Sequence, residues 1–238
     1  MIDTKALRQK ILDLAFQGKL TEQLPEDGTG EELFQQIQQE KRKLEAEGKI
    51  KKEKSLPPVS EDEIPFDIPD NWKWIRLSEL GIFSGGKTPS MDNKDYWNNG
   101  TINWITSKDM KRKYINSSEM KITKEGAAEL SVYPTKTILF VVRSGILRRS
   151  FPVAILTDQG TINQDLKALG LFVSDMCEYI YFVLKGLESK ILFRYTKDGT
   201  TVNNIMFDEF LTMPIPLPPL AEQKRIVAKL EELLPLCE

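Results

Sequence analysis

The stretch PIPLPPLAEQKRIVAKLEELL, from Pro214 to Leu234, constrains the fold more than any other part of the chain. Four prolines alternate with Ile and Leu, and the sequence then turns strongly helical without a break. Pro218 and Pro219 cannot continue a strand, because proline has no N–H to give to a ladder. They suit the first turn of a helix, where that donor has no intrahelical partner anyway. The following residues place Ile226, Val227, Leu230, Leu233, Leu234 and Cys237 on one helical stripe. If helical throughout, 219–238 reaches about 30 Å at ~1.5 Å per residue, and Pro235 should kink it or mark a last turn held by packing. Either the stripe packs on the chain's own core or it protrudes toward a partner helix. The rigid lead-in favours protrusion at a fixed angle, with the N-terminal helix as the expected mate.

That N-terminal helix is read from residues 3–17, where Leu7, Ile11, Leu14 and Ala15 share a face, Asp3 or Thr4 caps the start and Gly18 stops it. After the turn PEDGTG, Thr29 and Glu32 form a capping box for a second helix carrying Leu33, Ile37 and Leu44 and ending at Gly48. The proline-rich segment 49–70, basic first and acidic after, reads as a linker. From Trp72 the texture changes. WKWIRL, TINWIT, TILFVVR and FPVAILT read as strands, separated by polar loops, and 175–193 reads as a helix with Ile180, Val183, Leu184, Leu187 and Ile191 inward. The expected organisation is an N-terminal helical region (1–48), a linker (49–70), a mixed α/β core of α+β type (71–217) and a C-terminal helix (218–238).

There is no histidine among the 238 residues. That excludes Ser-His-Asp and Cys-His nucleophiles, HExxH zinc sites and histidine-based nucleases. Cys177 and Cys237 form neither a disulfide framework nor a CxxC site, and a reducing, cytoplasmic location is expected. No apolar run is long enough to span a bilayer, and MIDTKALRQK is not a signal peptide. With a net charge of −2, any nucleic-acid site has to be a local basic surface.

Several segments carry a family likeness. PLPPLAEQKRIVAKLEELLPLCE resembles the conserved C-terminal helix of the specificity subunits of type I restriction–modification systems, and ALRQKILDLAFQGKLTEQ resembles their N-terminal helix. GGKTPS…YWNNGTINWIT, RSGILRRSFPVAI…TINQDLKAL and KDGTTVNNIMFDEFLTMPIPLPPL resemble the start, middle and end of a target recognition domain. The likeness implies a non-catalytic DNA-reading adaptor. Its recognition domains grip the halves of a split site, helices act as a ruler, and modification and restriction subunits dock on it. S-adenosylmethionine is then expected on the modification subunit, with no cofactor on this chain. Full-length members have two recognition domains, whereas one is counted here, and the chain stops at LPLCE where members continue the helix. It resembles a half-subunit, expected to form a homodimer through Leu7, Ile11, Leu14, Ile226, Val227, Leu230, Leu233 and Leu234.

Within the recognition-like region, Lys108, Lys111, Arg112 and Lys113 form one basic run, followed by Lys121 and Lys124, and Arg143, Arg148 and Arg149 form another. Phosphates demand such charge, while Arg, Asn and Gln forks read base edges. Lys87, Asn163, Gln164, Lys197 and Asn203, on polar loops, complete the candidate DNA contacts. Singly, each is more often a solvated surface group. SGGKT (Ser84–Thr88) fails the Walker spacing by one residue, so its glycines are expected to allow a tight turn or close backbone approach to DNA. Trp72, Trp74 and Trp104 read as core, and Trp97, in a polar loop, remains open to base stacking.

Rival readings are a metal-dependent nuclease, with Asp70 and Glu119-Met120-Lys121 forced into a PD…ExK arrangement, and a pure protein–protein scaffold. A methyltransferase lacks its motif, since neither an Asn/Asp-Pro-Pro-Tyr/Phe run nor a Gly-rich cofactor loop occurs.

Overall fold

The computed structural model describes residues 3–52 and 56–237. Residues 1–2, 53–55 and 238, which belong to the expected N-terminal region, linker and C-terminal helix, lie outside the described residues. Along the chain come α1 (Thr4–Phe16), α2 (Gly30–Ala46), β1 (Lys73–Arg76), β2 (Gly81–Gly85), β3 (Ile102–Ile105) and β4 (Tyr114–Ile115). Then follow β5 (Met120–Ile122), α3 (Lys124–Ala127), β6 (Ile138–Val141), β7 (Arg143–Ser144), β8 (Val153–Leu156), β9 (Gly160–Ile162) and β10 (Leu166–Leu171). The last elements are α4 (Cys177–Gly186), α5 (Glu188–Arg194), β11 (Thr196–Lys197), β12 (Asn203–Ile205), α6 (Phe207–Leu211), β13 (Pro214–Leu217) and α7 (Leu220–Leu233). The fold is a mixed α+β arrangement with helices flanking the sheet region. No helix among the described residues is long and apolar enough to cross a membrane.

The chain divides into two compact units, and the division is not the linear one. The first unit joins 1–81, 178–186 and 211–238. It does so because β1 pairs antiparallel with β13, Trp74 opposite Pro216 and Arg76 opposite Pro214, drawing both ends of the expected core to the helices. The prolines are tolerated because a two-stranded ribbon is all edge. Tyr179 of α4 donates its hydroxyl to the Pro216 carbonyl at 2.9 Å and meets Phe16 edge-on. Gly30 is obligatory at the head of α2: a Cβ there would stand 2.1 Å from the Leu217 carbonyl oxygen. The Thr29–Glu32 capping box fixes the same helix start.

Three sequence expectations are corrected in this unit. The C-terminal stripe does not protrude, and the N-terminal helix expected as its mate covers it within the chain. Ile226 and Leu230 are fully buried and Leu234 nearly so, with α1 packed against α7 and the 3₁₀ turn Leu234–Cys237. Those three side chains therefore cannot face a second copy without opening the unit. α1 is also turned from its expected face: Leu12, Ala15 and Phe16 are buried, Ile11 and Leu14 only half-buried, and Leu7 stays 42% exposed. The bulk of Phe16, seated on Tyr179, sets that rotation. Finally, the described part of the 49–70 linker is pinned. Arg76, 4% exposed, donates to the carbonyls of Pro57 and Pro58 and forks onto both oxygens of Glu63 at 2.6 and 2.7 Å. A buried guanidinium needs such partners.

The second unit joins 82–177 and 187–210. Its five-stranded sheet runs β2-β10-β6-β8-β4, beside three-stranded sheets β5-β3-β9 and β11-β12-β7. Fully buried Phe140, Phe151 and Phe210 pack edge-on and tilted against one another in its core, and Trp104 packs with Ile122 and Ala127. The expected 175–193 helix is broken at Leu187, which separates α4 from α5.

Candidate nucleic-acid interface

In β5-β3-β9 the β3–β9 pair is parallel, with Ile105 opposite Ile162. Parallel strands end at the same edge, so the loops that follow them leave side by side. Asn163 N–H donates to the Ile105 carbonyl at 3.0 Å, and Lys87 N–H donates to the Ile162 carbonyl at 3.2 Å. Three polar loops, 86–88, 106–113 and 163–165, thus start from one edge. Gly86 makes this possible: a Cβ there would lie 1.9 Å from the Ile162 carbonyl oxygen. The close backbone approach that this glycine permits is to the chain's own strand end. Thr88 and Gln164 are hydrogen-bonded side chain to side chain, tying two loops together.

The 106–113 loop is organised by Asp109. Its carboxylate accepts the Thr106 N–H at 2.8 Å and the Glu119 N–H at 2.8 Å, and buried Met110 anchors the turn. Lys108, Lys111 and Arg112 are left exposed, whereas Lys113 is half-buried with its ammonium 4.9 Å from the Tyr114 ring centroid. The Asp165 carbonyl accepts the N–H groups of Val142 and Arg143, which joins the 163–165 turn to β7. Across β7, β12 and β11, Arg143 stands opposite Asn204 and Asn204 opposite Lys197. Cross-strand partners share a face, so two exposed cations flank an exposed amide in one row.

Not every expected residue joins this surface. Asn163 is 7% exposed, its Oδ1 accepting the Asp165 N–H and its Nδ2 donating to the Asp165 carboxylate, so it shapes the turn. Asn203, 4% exposed, donates to Asp198 at 2.8 Å. Adjacent strand residues point to opposite faces, and the exposed partner of the row is Asn204, which that alternation would have identified from the pair Asn203-Asn204. Lys124 follows β5, whose Ile122 pairs with Ile102, at the far end of β3 from Ile105. Lys121, exposed, pairs opposite Asn103 in mid-strand. Trp97 is half-buried edge-on against Trp104 and donates its Nε1–H to the Ser90 carbonyl, so stacking on bases is not open to it.

Arg148 and Arg149 are exposed on a second feature, an open cleft of about 400 Å³ lined also by Leu192, Phe193, Asp198 and Asn203. Arg148 Nε reaches Asn203 Oδ1 at 3.5 Å, a weak bond. Sequence reasoning missed the α5 side of this cleft and the cations beside it. Lys190 has its pKa lowered, first by burial of its ammonium and then by the neighbouring Arg194 charge.

Asp70 belongs to the first unit and Glu119 to the second, and among the described residues no three Cys, Asp or Glu side chains gather to hold a metal.

Residues 69–236 match the family described as Type I restriction modification DNA specificity domain. The chain is 38% identical over 162 residues to the Type I restriction enzyme EcoR124I/EcoR124II specificity subunit of Escherichia coli, covering 67% of this chain and 40% of that protein. It is 30% identical over 246 residues to the EcoEI specificity subunit of Escherichia coli, covering 98% of this chain and 41% of that one. The fold is shared with the HsdS subunit from Thermoanaerobacter tengcongensis, at a TM-score of 0.56 and 20% identity, covering 98% of this chain and 49% of that chain. The chain spans about two-fifths of the length of the curated relatives it matches. With a family match that takes in most of the sequence, the chain belongs to the specificity subunits of type I restriction–modification systems.

Proposed function

We propose that this chain is a non-catalytic reader of duplex DNA that places a methyltransferase subunit, and with it a restriction subunit, on a split site. The observation that carries the reading is the convergence of the 86–88, 106–113 and 163–165 loops at the Ile105/Ile162 edge, with the Arg143–Asn204–Lys197 row tied to them through Asp165. Lys87, Lys108, Lys111, Arg112, Arg143 and Lys197 supply phosphate contacts, Asn204 supplies a paired donor and acceptor for a base edge, and Gln164, whose Oε1 accepts from Thr88, supplies its amide donors. S-adenosylmethionine belongs to the partner subunit in this reading. Two copies joined through their helices would present two such surfaces. Since Ile226, Leu230 and Leu234 are covered within the chain, Leu7, Ile11, Leu14, Val227 and Leu233, with exposed Leu236 beside them, are the side chains left for that contact.

Methylome sequencing of a methylation-free host expressing this chain with its neighbouring modification subunit tests the reading. A gapped palindrome is expected, because two-fold protein symmetry demands a two-fold site. A gapped asymmetric motif would replace the second copy with a different recognition region. No methylation with both proteins soluble and associated would overturn the proposal.

A further inference from the structure

Phe193 is 92% exposed, while the other phenylalanines of the chain are buried or half-buried. Its helix, α5, turns Ile191 fully into the core, and Phe193 projects from the rim of the Arg148/Arg149 cleft. A lone exposed apolar residue is ordinary on a protein surface. This one is distinguished by its surroundings. Arg148, Arg149, Lys190, Arg194 and Lys197 stand on the same cleft and its flanking elements, against Glu188 and Asp198. Both carboxylates are already engaged, Glu188 accepting the Phe151 N–H and Asp198 the Asn203 amide. An apolar protein partner would need a contiguous apolar patch. What the cleft offers instead is one exposed ring, with half-buried Leu192 and buried Leu147 behind it, among cations and hydrogen-bonding groups.

We propose that Phe193 is a DNA wedge, whose ring stacks into a base step of the bound duplex while the arginines of the cleft hold the flanking phosphates. Aromatic and aliphatic wedges of this kind unstack a step and kink the duplex, and the bend brings more protein surface onto it. Stacking accepts any base, since every base has a π-face. Phe193 therefore contributes affinity and bending, and leaves sequence choice to the loops at the Ile105/Ile162 edge. This inference rests on the DNA-reading function proposed above.

The test uses the full chain on two 40-bp duplexes with dyes at both ends, one carrying the motif found by methylome sequencing and one of random sequence. Wild type is expected to bind the motif duplex and bring the dyes closer. Phe193→Ala is expected to bind about tenfold more weakly, to lose the change in energy transfer, and to keep the wild-type salt slope and melting temperature. Phe193→Leu, which retains a wedge, is expected to restore most of the bend. Wild-type binding and bending by Phe193→Ala overturns the wedge and leaves the DNA-reading function standing. A variant that bends DNA normally but no longer co-purifies with the methyltransferase subunit overturns it in favour of a protein contact. Wild type that binds neither duplex overturns the DNA-reading function itself, and the wedge with it.

Discussion

Ile105 and Ile162 stand opposite each other in parallel strands, and the Asn163 N–H closes onto the Ile105 carbonyl just beyond them. That single pairing brings together loops from distant parts of the chain. It makes the candidate interface a property of one sheet edge, and its rigidity that of a paired backbone.

Gly86 is the tightest point of that edge. Replacing it with Ala puts a methyl group 1.9 Å from a backbone oxygen that cannot move without unzipping β9. Gly86→Ala is expected to cost about 1–3 kcal/mol, seen as a lower melting temperature, and to weaken DNA binding by displacing Lys87. An unchanged melting temperature would mean that the 86–88 loop can swing away from Ile162 at no cost.

The row Arg143–Asn204–Lys197 separates charge from readout. Removing one phosphate-binding cation should make the slope of log K against log salt shallower by about 0.9, so Arg143→Ala with Lys197→Ala is expected to flatten it by nearly two such steps. Asn204→Ala should leave the slope alone and reduce discrimination between motif and random duplexes. Fluorescence anisotropy across a salt series reads both effects. Asn163→Ala, by contrast, should act on stability, by about 1 kcal/mol, because its amide is used inside the turn.

Glu63 carries a pH signature. Hydrogen bonds from Arg76, then from the Ser60 backbone and hydroxyl, lower its pKa from about 4.5 to about 2. A carboxyl held low in the folded state stabilises the fold above its ordinary value and loses that contribution as pH falls toward 2. Urea midpoints of the wild type should therefore drop between pH 4.5 and 2 more than those of Glu63→Gln. Parallel curves would remove this pair from acid unfolding.

Glu222 ties the C-terminal helix to the start of the strand region. Fully buried, it accepts from Trp72 Nε1 at 2.8 Å, Gln23 Nε2 at 2.7 Å and Thr21 Oγ1 at 3.1 Å. Glu222→Ala leaves the Trp72 Nε1–H in the interior without its acceptor, while Gln23 keeps the carbonyls of Gly18 and Thr21. The expected loss is about 2–4 kcal/mol, with a change in Trp72 fluorescence that tracks it. A variant as stable as wild type would show that water replaces the carboxylate.

Local pattern was enough for the parts of this protein that depend on neighbours in sequence. The Thr29–Glu32 capping box, the strands in WKWIRL, TINWIT, TILFVVR and FPVAILT, and the helix start after Pro219 are all in place. So is the mixed α+β class. A cap or an alternation is set within a few residues, and tertiary packing has no cheaper alternative to offer. What packing alone decided lies between residues far apart. Pairing of β1 with β13 moved 71–81 and 211–217 into the helical unit. The seat of Phe16 on Tyr179 turned α1 away from its Leu7 face, and packing within the chain decided that the α7 stripe, whose expected mate was the N-terminal helix, is covered by α1 and does not protrude. Asn163 looks like any loop amide in the sequence, and only its burial assigns it to the scaffold, whereas strand alternation already separates Asn203 from Asn204. Charge content is written residue by residue, but which charges share a surface depends on strand partners, and those are chosen by the whole chain.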